Sequence, residues 1–351
     1  MSDGVPRFGA DRLLALADRL AGQRVLVLAD LVLDRFLTGT PKRISREAPV
    51  LILRYAGETG VPGGGANAVA NIRALGGEPL AVGLVGDDES GRLLRAELEA
   101  RGISTRRILE VAGYRTPTKT RILAGFPHGS KQQIVRYDVE DEIAAGAGAA
   151  VAARLREAIA AAAGEARVAV VSDYGYGAAH PALLPALREA LGPGGVVVVD
   201  SRYRLGDYRD IDGATPNEQE AEELAGGELP AALPDLGRAV GRLRERLAAR
   251  FLLVTRGSRG MVLASGEGAL AIPVHGTDQV ADVTGAGDTV IGTFALALAA
   301  GAAPEEAALL ANYAGGIVVM KMGTATTSPE ELCEAIRRDP RPLEEATWAR
   351  W

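Results

Sequence analysis

What most restricts the fold of this chain is a set of short apolar runs that end on an acid and alternate with helical stretches. Arg24-Val-Leu-Val-Leu-Ala-Asp30, Val168 to Ser172 leading into Asp173, and Val196-Val-Val-Val-Asp200 are the clearest. A strand with one wet face alternates polar and apolar residues, whereas a continuous apolar run is covered on both faces, as in a parallel sheet between helices. Leu80 to Val85 reads the same way, with helices over Glu89 to Arg101 and about Ala149 to Ala163. Strands over Ile103 to Val111, from Leu252, and over Met261 to Ala264 and Ala269 to Val274 continue the series. The fold class is therefore α/β with a mainly parallel sheet. Such sheets bind ligands at their carboxyl ends, so the acids at the strand tips are candidate site residues. For Asp30 and Asp34 the plain alternative is a solvated loop acid, favoured more for Asp30.

Two segments break the rhythm. Thr116 to Ala124 and Lys131 to Asp138 alternate polar and apolar residues around Pro127-His-Gly129, the pattern of an antiparallel hairpin with one wet face. With Val50 to Tyr55, which follows a basic loop carrying Lys42, Arg43 and Arg46, they form a small second sheet. It reads equally as a lid or as a plain edge insertion. No repeat or long linker appears, so 1–351 reads as one domain, with lid segments at about 40–57 and 114–137.

Asp282-Val-Thr-Gly-Ala-Gly-Asp288 is a glycine-rich turn feeding the apolar run Thr289 to Ala300, which ends before Pro304. Gly285 and Gly287 permit close approach of backbone amides to a ligand, and the N–H groups at a helix start suit an anion. Asp288 then faces a nucleophile, taking the proton of a hydroxyl as a phosphoryl group transfers, or it merely favours the helix N-terminus. Gly63-Gly-Gly-Ala-Asn-Ala68 opens another helix that stops at Gly76-Gly77. Its formal match to a dinucleotide fingerprint is rejected, because a loop over Ala56 to Pro62 is expected before it. Asn67 offers an amide to hydroxyl groups. Thr215-Pro-Asn-Glu-Gln-Glu220 places Asn217 at an N-cap with Glu220 three residues on, a capping box as it stands.

The net charge of −6 offers no polyanion-binding field, so nucleic acid is not the expected partner. The single Cys333 excludes an internal disulfide, and His128, His180 and His275 are too scattered for a zinc site. Acids among the first residues do not suit a signal peptide, and no apolar run reaches the roughly 20 residues of a membrane span, so a cytoplasmic location is expected. A Walker-type G-x-x-x-x-G-K-[ST] loop is not present in the sequence.

The early Gly-Gly-x-x-Asn, the Asn217-x-x-Glu220 and the late Asp-x-Thr-Gly-Ala-Gly-Asp occur in the order and spacing of one group. The chain resembles the ribokinase-like, or PfkB, family of carbohydrate kinases over nearly its whole length. That resemblance implies a three-layer αβα sandwich with a β lid and an ATP- and Mg2+-dependent kinase, with a monovalent cation such as K+ a further candidate. It assigns Asp288 as base, with the amides of Gly285, Ala286 and Gly287 as anion hole. Asp34, Gly63, Gly64, Asn67 and Asp173 fall to the sugar, and Thr255, Gly257, Gly260 and Asn312 border the nucleotide. Asn217 and Glu220 help to place phosphates and, through water, magnesium.

Leu33-Asp-Arg35, Arg43-Ile-Ser-Arg-Glu-Ala-Pro-Val50, Thr118-Lys-Thr-Arg121, Gln132-Gln-Ile-Val-Arg136 and Ser172-Asp-Tyr174 are most similar to the D-glycero-β-D-manno-heptose 7-phosphate kinases. Those act on O1 of a sugar already carrying a 7-phosphate. The cations Arg43, Arg46, Lys119, Arg121 and Arg136 are then expected over the far end of the sugar. Two departures stand out: Ala29 where Gly is usual before Asp30, and Tyr176 where Lys is usual. No His-x-Gly-His motif occurs in these 351 residues, so the resemblance implies the kinase reaction and not nucleotidyl transfer. The implied partners are a sugar phosphate, ATP and a second copy of the chain, meeting as a homodimer through the lid.

Overall fold

The structure is a computed structural model that describes residues 8–126, 131–141, 148–266, 268–276 and 281–351. In chain order the strands are β1 (Arg24–Ala29), β2 (Leu31–Ile44), β3 (Leu51–Gly64), β4 (Glu78–Gly86), β5 (Ile108–Val111), β6 (Thr118–Ala124), β7 (Gln132–Val139), β8 (Val168–Asp173), β9 (Val196–Ser201), β10 (Gly213–Ala214), β11 (Phe251–Thr255), β12 (Met261–Ser265), β13 (Gly268–Ile272) and β14 (Thr347–Arg350). The helices are α1 (Ala10–Asp18), α2 (Gly65–Ala74), α3 (Glu89–Ala100), α4 (Gly148–Ala160), α5 (Leu184–Leu191), α6 (Glu218–Ala225), α7 (Asp235–Arg246), α8 (Ala286–Ala299), α9 (Pro304–Val318), α10 (Pro329–Arg338) and α11 (Arg341–Glu344).

The main sheet has the order β14-β13-β12-β11-β10-β9-β8-β1-β4-β5, parallel from β11 through β5 and antiparallel from β11 to β14. Its apolar runs are explained by burial on both faces. On β1, Val25, Val27 and Ala29 join the core made with α1, α2, α8 and α9, while Leu26 and Leu28 join the opposite core with α4, α5 and α7. Each such leucine or valine contributes about 1.5–3 kcal/mol relative to exposure, which is why polar residues are kept out of these runs.

The second sheet has the order β3-β2-β6-β7, with β2 and β6 parallel and the outer pairs antiparallel. The expected turn of the β6–β7 hairpin, with His128, lies outside the described residues. β5 begins five residues later than the expected Ile103, and two boundaries of the small sheet also differ from expectation. The supposed basic loop through Arg43 is strand, since β2 runs to Ile44, and the supposed loop over 56–62 is also strand, since β3 runs to Gly64 and passes directly into α2. A dinucleotide fingerprint is still excluded, because β3 pairs antiparallel with β2 in the small sheet and is not the first strand of a βαβ unit. Only Asp30 separates β1 from β2, so the small sheet is rooted directly at the edge of the crevice.

Candidate active site

A cavity of about 360 Å³ opens along the carboxyl ends of β8, β9, β10 and β11, lined among others by Asp173, Asp200, Thr215, Thr255 and Asp288. The starts of α2 and α8 meet at its edge. Gly285 caps α8 at φ +78°, and a Cβ there would lie 2.4 Å from Asn67 Nδ2, so the turn requires glycine on both conformational and steric grounds. Asp288, in the first turn of α8, is only 3% exposed. Tyr174 Oη donates to its Oδ1 at 2.8 Å, and Asn67 Nδ2 donates to its Oδ2 at 3.2 Å. Burial pushes Asp288 up to about 7, against the pull of those two donors. A carboxylate poised there suits a base working near neutrality.

Asn67 is more occupied than the sequence suggested. Its amide also donates to the Gly285 carbonyl at 3.1 Å, and Asn71 Nδ2 donates to Asn67 Oδ1 at 3.0 Å, which fixes which end faces Asp288. Asp34 is likewise engaged: Arg121 Nη1 donates to Oδ1 at 2.5 Å and Thr324 Oγ1 to Oδ2 at 2.9 Å. Gly63 is required beside it, because a Cβ there would lie 2.4 Å from Asp34 Oδ2. Gly64 caps α2. Arg136 is opposite Arg121 in the β6–β7 register and makes a two-bonded pair with Asp138 at 2.9 and 2.6 Å. Lys119 Nζ lies 5.2 Å from the Tyr174 ring centroid, and burial lowers its pKa. Arg43 and Arg46 are exposed, at the far end of β2 and just beyond it, and do not join this group.

Two acids depart from their expected surroundings. Asp30 is 1% exposed, and its carboxylate accepts the amides of Tyr174, Tyr176, Ala178 and Ala179 at 2.8–3.1 Å. Burial lifts it to about 6 although those amides favour the charged form. The solvated-loop expectation for Asp30 fails because the chain after β8 folds back over the tip of β1. Asp173 accepts from Gly175, Ser201, Tyr208 and twice from Arg204, all at 2.8–3.0 Å. Its oxygens so engaged, it ties down the start of that turn while also lining the larger cavity, where a sugar contact was expected of it.

On the other side of Gly287 a second, apolar cavity of about 170 Å³ is lined by Thr255, Gly257, Gly260, Val274, Val290, Asn312 and Val319. Asn312 turns its amide to the Pro273 carbonyl at 2.9 Å, so it contributes its position on α9 while its donor is engaged. Ala286, expected in the anion hole, lines this cavity, and its amide donates to the Val283 carbonyl at 3.3 Å. The capping box forms in full: Glu220 N–H donates to Asn217 Oδ1 and Asn217 N–H to Glu220 Oε2, both at 2.9 Å. Asp200 and Glu220 share the larger cavity, and burial first, then the neighbouring carboxylates, hold Asp200 well above the usual carboxylate range.

Sequence reasoning missed the part of Tyr174, Asn71, Arg202 and Thr324. Tyr174 falls in the quoted stretch Ser172-Asp-Tyr174 but only as part of the resemblance, while Asn71, Thr324 and Arg202, which lines the larger cavity, lie outside the quoted motifs.

A buried carboxylate at the start of a glycine-led helix, an adjoining apolar slot and a second sheet rooted at the same crevice fit a phosphotransferase acting on a small hydroxyl compound. The comparisons agree. Residues 25–331 match the profile of the pfkB family carbohydrate kinases, and the chain belongs to that family. It is 44% identical to the bifunctional protein HldE of Halorhodospira halophila over 326 residues, 91% of this chain and 64% of that protein. It is 41% identical to the bifunctional protein HldE of Caulobacter sp. over 332 residues, 92% of this chain and 64% of that one. The chain therefore spans somewhat under two thirds of the length of these curated relatives. The fold is shared with phosphofructokinase-2 from Escherichia coli, solved with substrates and products (TM-score 0.69, 21% identity, covering 90% of this chain and 98% of that one). Arabidopsis thaliana ribokinase complexed with ribose and ATP is similar too (TM-score 0.66, 20% identity, covering 91% and 100%). Among the described residues no helix is long and apolar enough to cross a membrane.

Proposed function

We propose that this chain is an ATP-dependent sugar-phosphate kinase that phosphorylates O1 of D-glycero-β-D-manno-heptose 7-phosphate to the 1,7-bisphosphate. The observation that carries the reading is the buried Asp288 at the mouth of the crevice, with Lys119, Arg121 and Arg136 on the adjoining sheet. Asp288 takes the proton of the sugar hydroxyl. That oxygen forms its bond to the γ-phosphorus as the bond to the bridging oxygen breaks and ADP departs. The amide of Gly287 and the positive end of α8 favour the transferring group. The apolar slot beside Gly287 accepts the nucleotide base.

The donor set around the larger cavity suits magnesium. Asp200 and Glu220 are carboxylates in a desolvated wall, with Arg202 the cation lining the same cavity, and hard oxygen ligands with retained waters are what this ion takes. Bound there, magnesium would neutralise phosphate charge, with Glu220 reaching it through water. A potassium requirement rests on the family resemblance. Glu220→Gln keeps an acceptor for the Asn217 amide, so the helix cap survives the change. The expected result is a severalfold higher magnesium requirement with a melting shift below the about 0.5–2 kcal/mol of a lost cap. A full cap loss with unchanged magnesium dependence would leave Glu220 a capping residue only.

A kinase of another sugar, such as fructose, 2-keto-3-deoxygluconate or ribose, is the second reading. It is favoured by Tyr176, which replaces the usual Lys and bonds Glu140 at 2.7 Å, and by the carboxylate partners of Arg121 and Arg136. ADP release across a panel of free and phosphorylated sugars decides. Fastest turnover with the heptose phosphate supports the first reading, and faster turnover of a free hexose or ketose supports the second. A chain that turns over none of them would be a silent sugar- or nucleotide-binding relative.

The second copy of the chain meets this one through the lid. Ile44, Leu51, Tyr55, Ile134, Val135 and Tyr137 on β2, β3 and β7 are exposed apolar side chains that such a contact would cover. Sedimentation should give a dimer that Tyr55→Glu weakens, and a wild-type monomer at micromolar concentration overturns this.

A further inference from the structure

The turn after β8 is held by hydrogen bonds to two buried carboxylates. Asp30 grips four of its amides from below, and Asp173 ties its start to Ser201, Arg204 and Tyr208. What the turn presents is Tyr174. Its hydroxyl sits 2.8 Å from Asp288 Oδ1, and its ring lies below Lys119 Nζ. Asn67 holds the other oxygen at the longer distance of 3.2 Å.

We propose that Tyr174 is the positioning residue of the base: its phenol pins one oxygen of Asp288 so that the remaining lone pairs are aimed at the acceptor hydroxyl. A carboxylate has about four acceptor positions, so two fixed donors leave room for a substrate hydroxyl while removing rotation of the group. The surroundings give this donor a second effect. Asp288 is faced by Asp34 from β2, Lys119 from β6 and Asp200 from β9, and Asp173 at the end of β8, Arg202 after β9 and Glu220 from α6 line the same cavity. Carboxylates outnumber cations there, so the phenol is one of few groups that favour the ionised, proton-accepting form.

The inference rests on the reading of Asp288 as base, and the test separates the two. Tyr174→Phe keeps the ring under Lys119 and deletes only the donor. The rate–pH profile of the variant should show its acid limb moved up by about one unit, which is about tenfold slower turnover below the limb and a much smaller loss on the alkaline plateau. Tyr176→Phe, which removes the neighbouring phenol bonded to Glu140, should leave the limb in place. An unmoved limb in Tyr174→Phe, or an equal movement in both variants, overturns the proposal. Substantial activity in Asp288→Asn would overturn the base reading itself, whatever Tyr174→Phe does.

Discussion

Asp288→Asn is expected to lower turnover by at least about 10²- to 10⁴-fold, the range a general base contributes, while nucleotide binding is largely kept. The amide preserves size and the Gly285 turn, and its oxygen can still accept from Tyr174, but it cannot take the hydroxyl proton. In the wild type the sign of the pH dependence follows from the same group. Burial raises Asp288 from 3.8 to about 7, and the ionised form is the base, so the rate should rise with pH through about 7 and level above it. Steady-state rates and a nucleotide titration check both statements. A variant within about threefold of wild type would contradict a base role worth two to four decades.

Arg136→Ala is expected to raise the KM for the phosphorylated sugar at least about tenfold with the KM for ATP nearly unchanged, since only one end of the site is touched. The structure makes Arg136 the cleaner probe of the cationic sheet. Arg121 is 9% exposed and paired with the buried Asp34, so its removal strands a carboxylate and would cost about 3–5 kcal/mol of stability, confusing folding with binding. Arg136 has a side chain 45% exposed and uses Nε and Nη2 on Asp138. Its Nη1 edge remains to donate to a phosphate, with a charge-assisted bond about twice as strong as a neutral one. If the free sugar and its phosphate show equal KM before and after the change, the phosphate end is not read by this sheet.

How far the site was legible follows from the range of each interaction. Asn217 and Glu220 were readable as a cap because both partners lie within one turn, and the box is present as expected. The Gly285 turn was readable because left-handed backbone and a helix start are local demands. Asp30, Asn67 and Asp173 were legible as polar residues at strand tips or helix starts, but not in what they hold. Asn67 meets Asp288 across 221 residues and Tyr174 meets it across 114.

By itself the sequence determined the α/β class, the strands buried on both faces, the helix starts and the placing of Asp288 in a first turn. Those properties depend on hydrophobic periodicity and on backbone hydrogen bonds satisfied within a few residues. Only the tertiary structure decided that Asp30 would be a buried clamp, that Asn67 would face Asp288, and that Arg121 would be spent on Asp34. It also placed the Tyr174 phenol against Asp288. A polar side chain takes whichever donor or acceptor the converging loops bring within about 3 Å, because leaving it buried and unpaired costs free energy, and that convergence is a property of the assembled sheets.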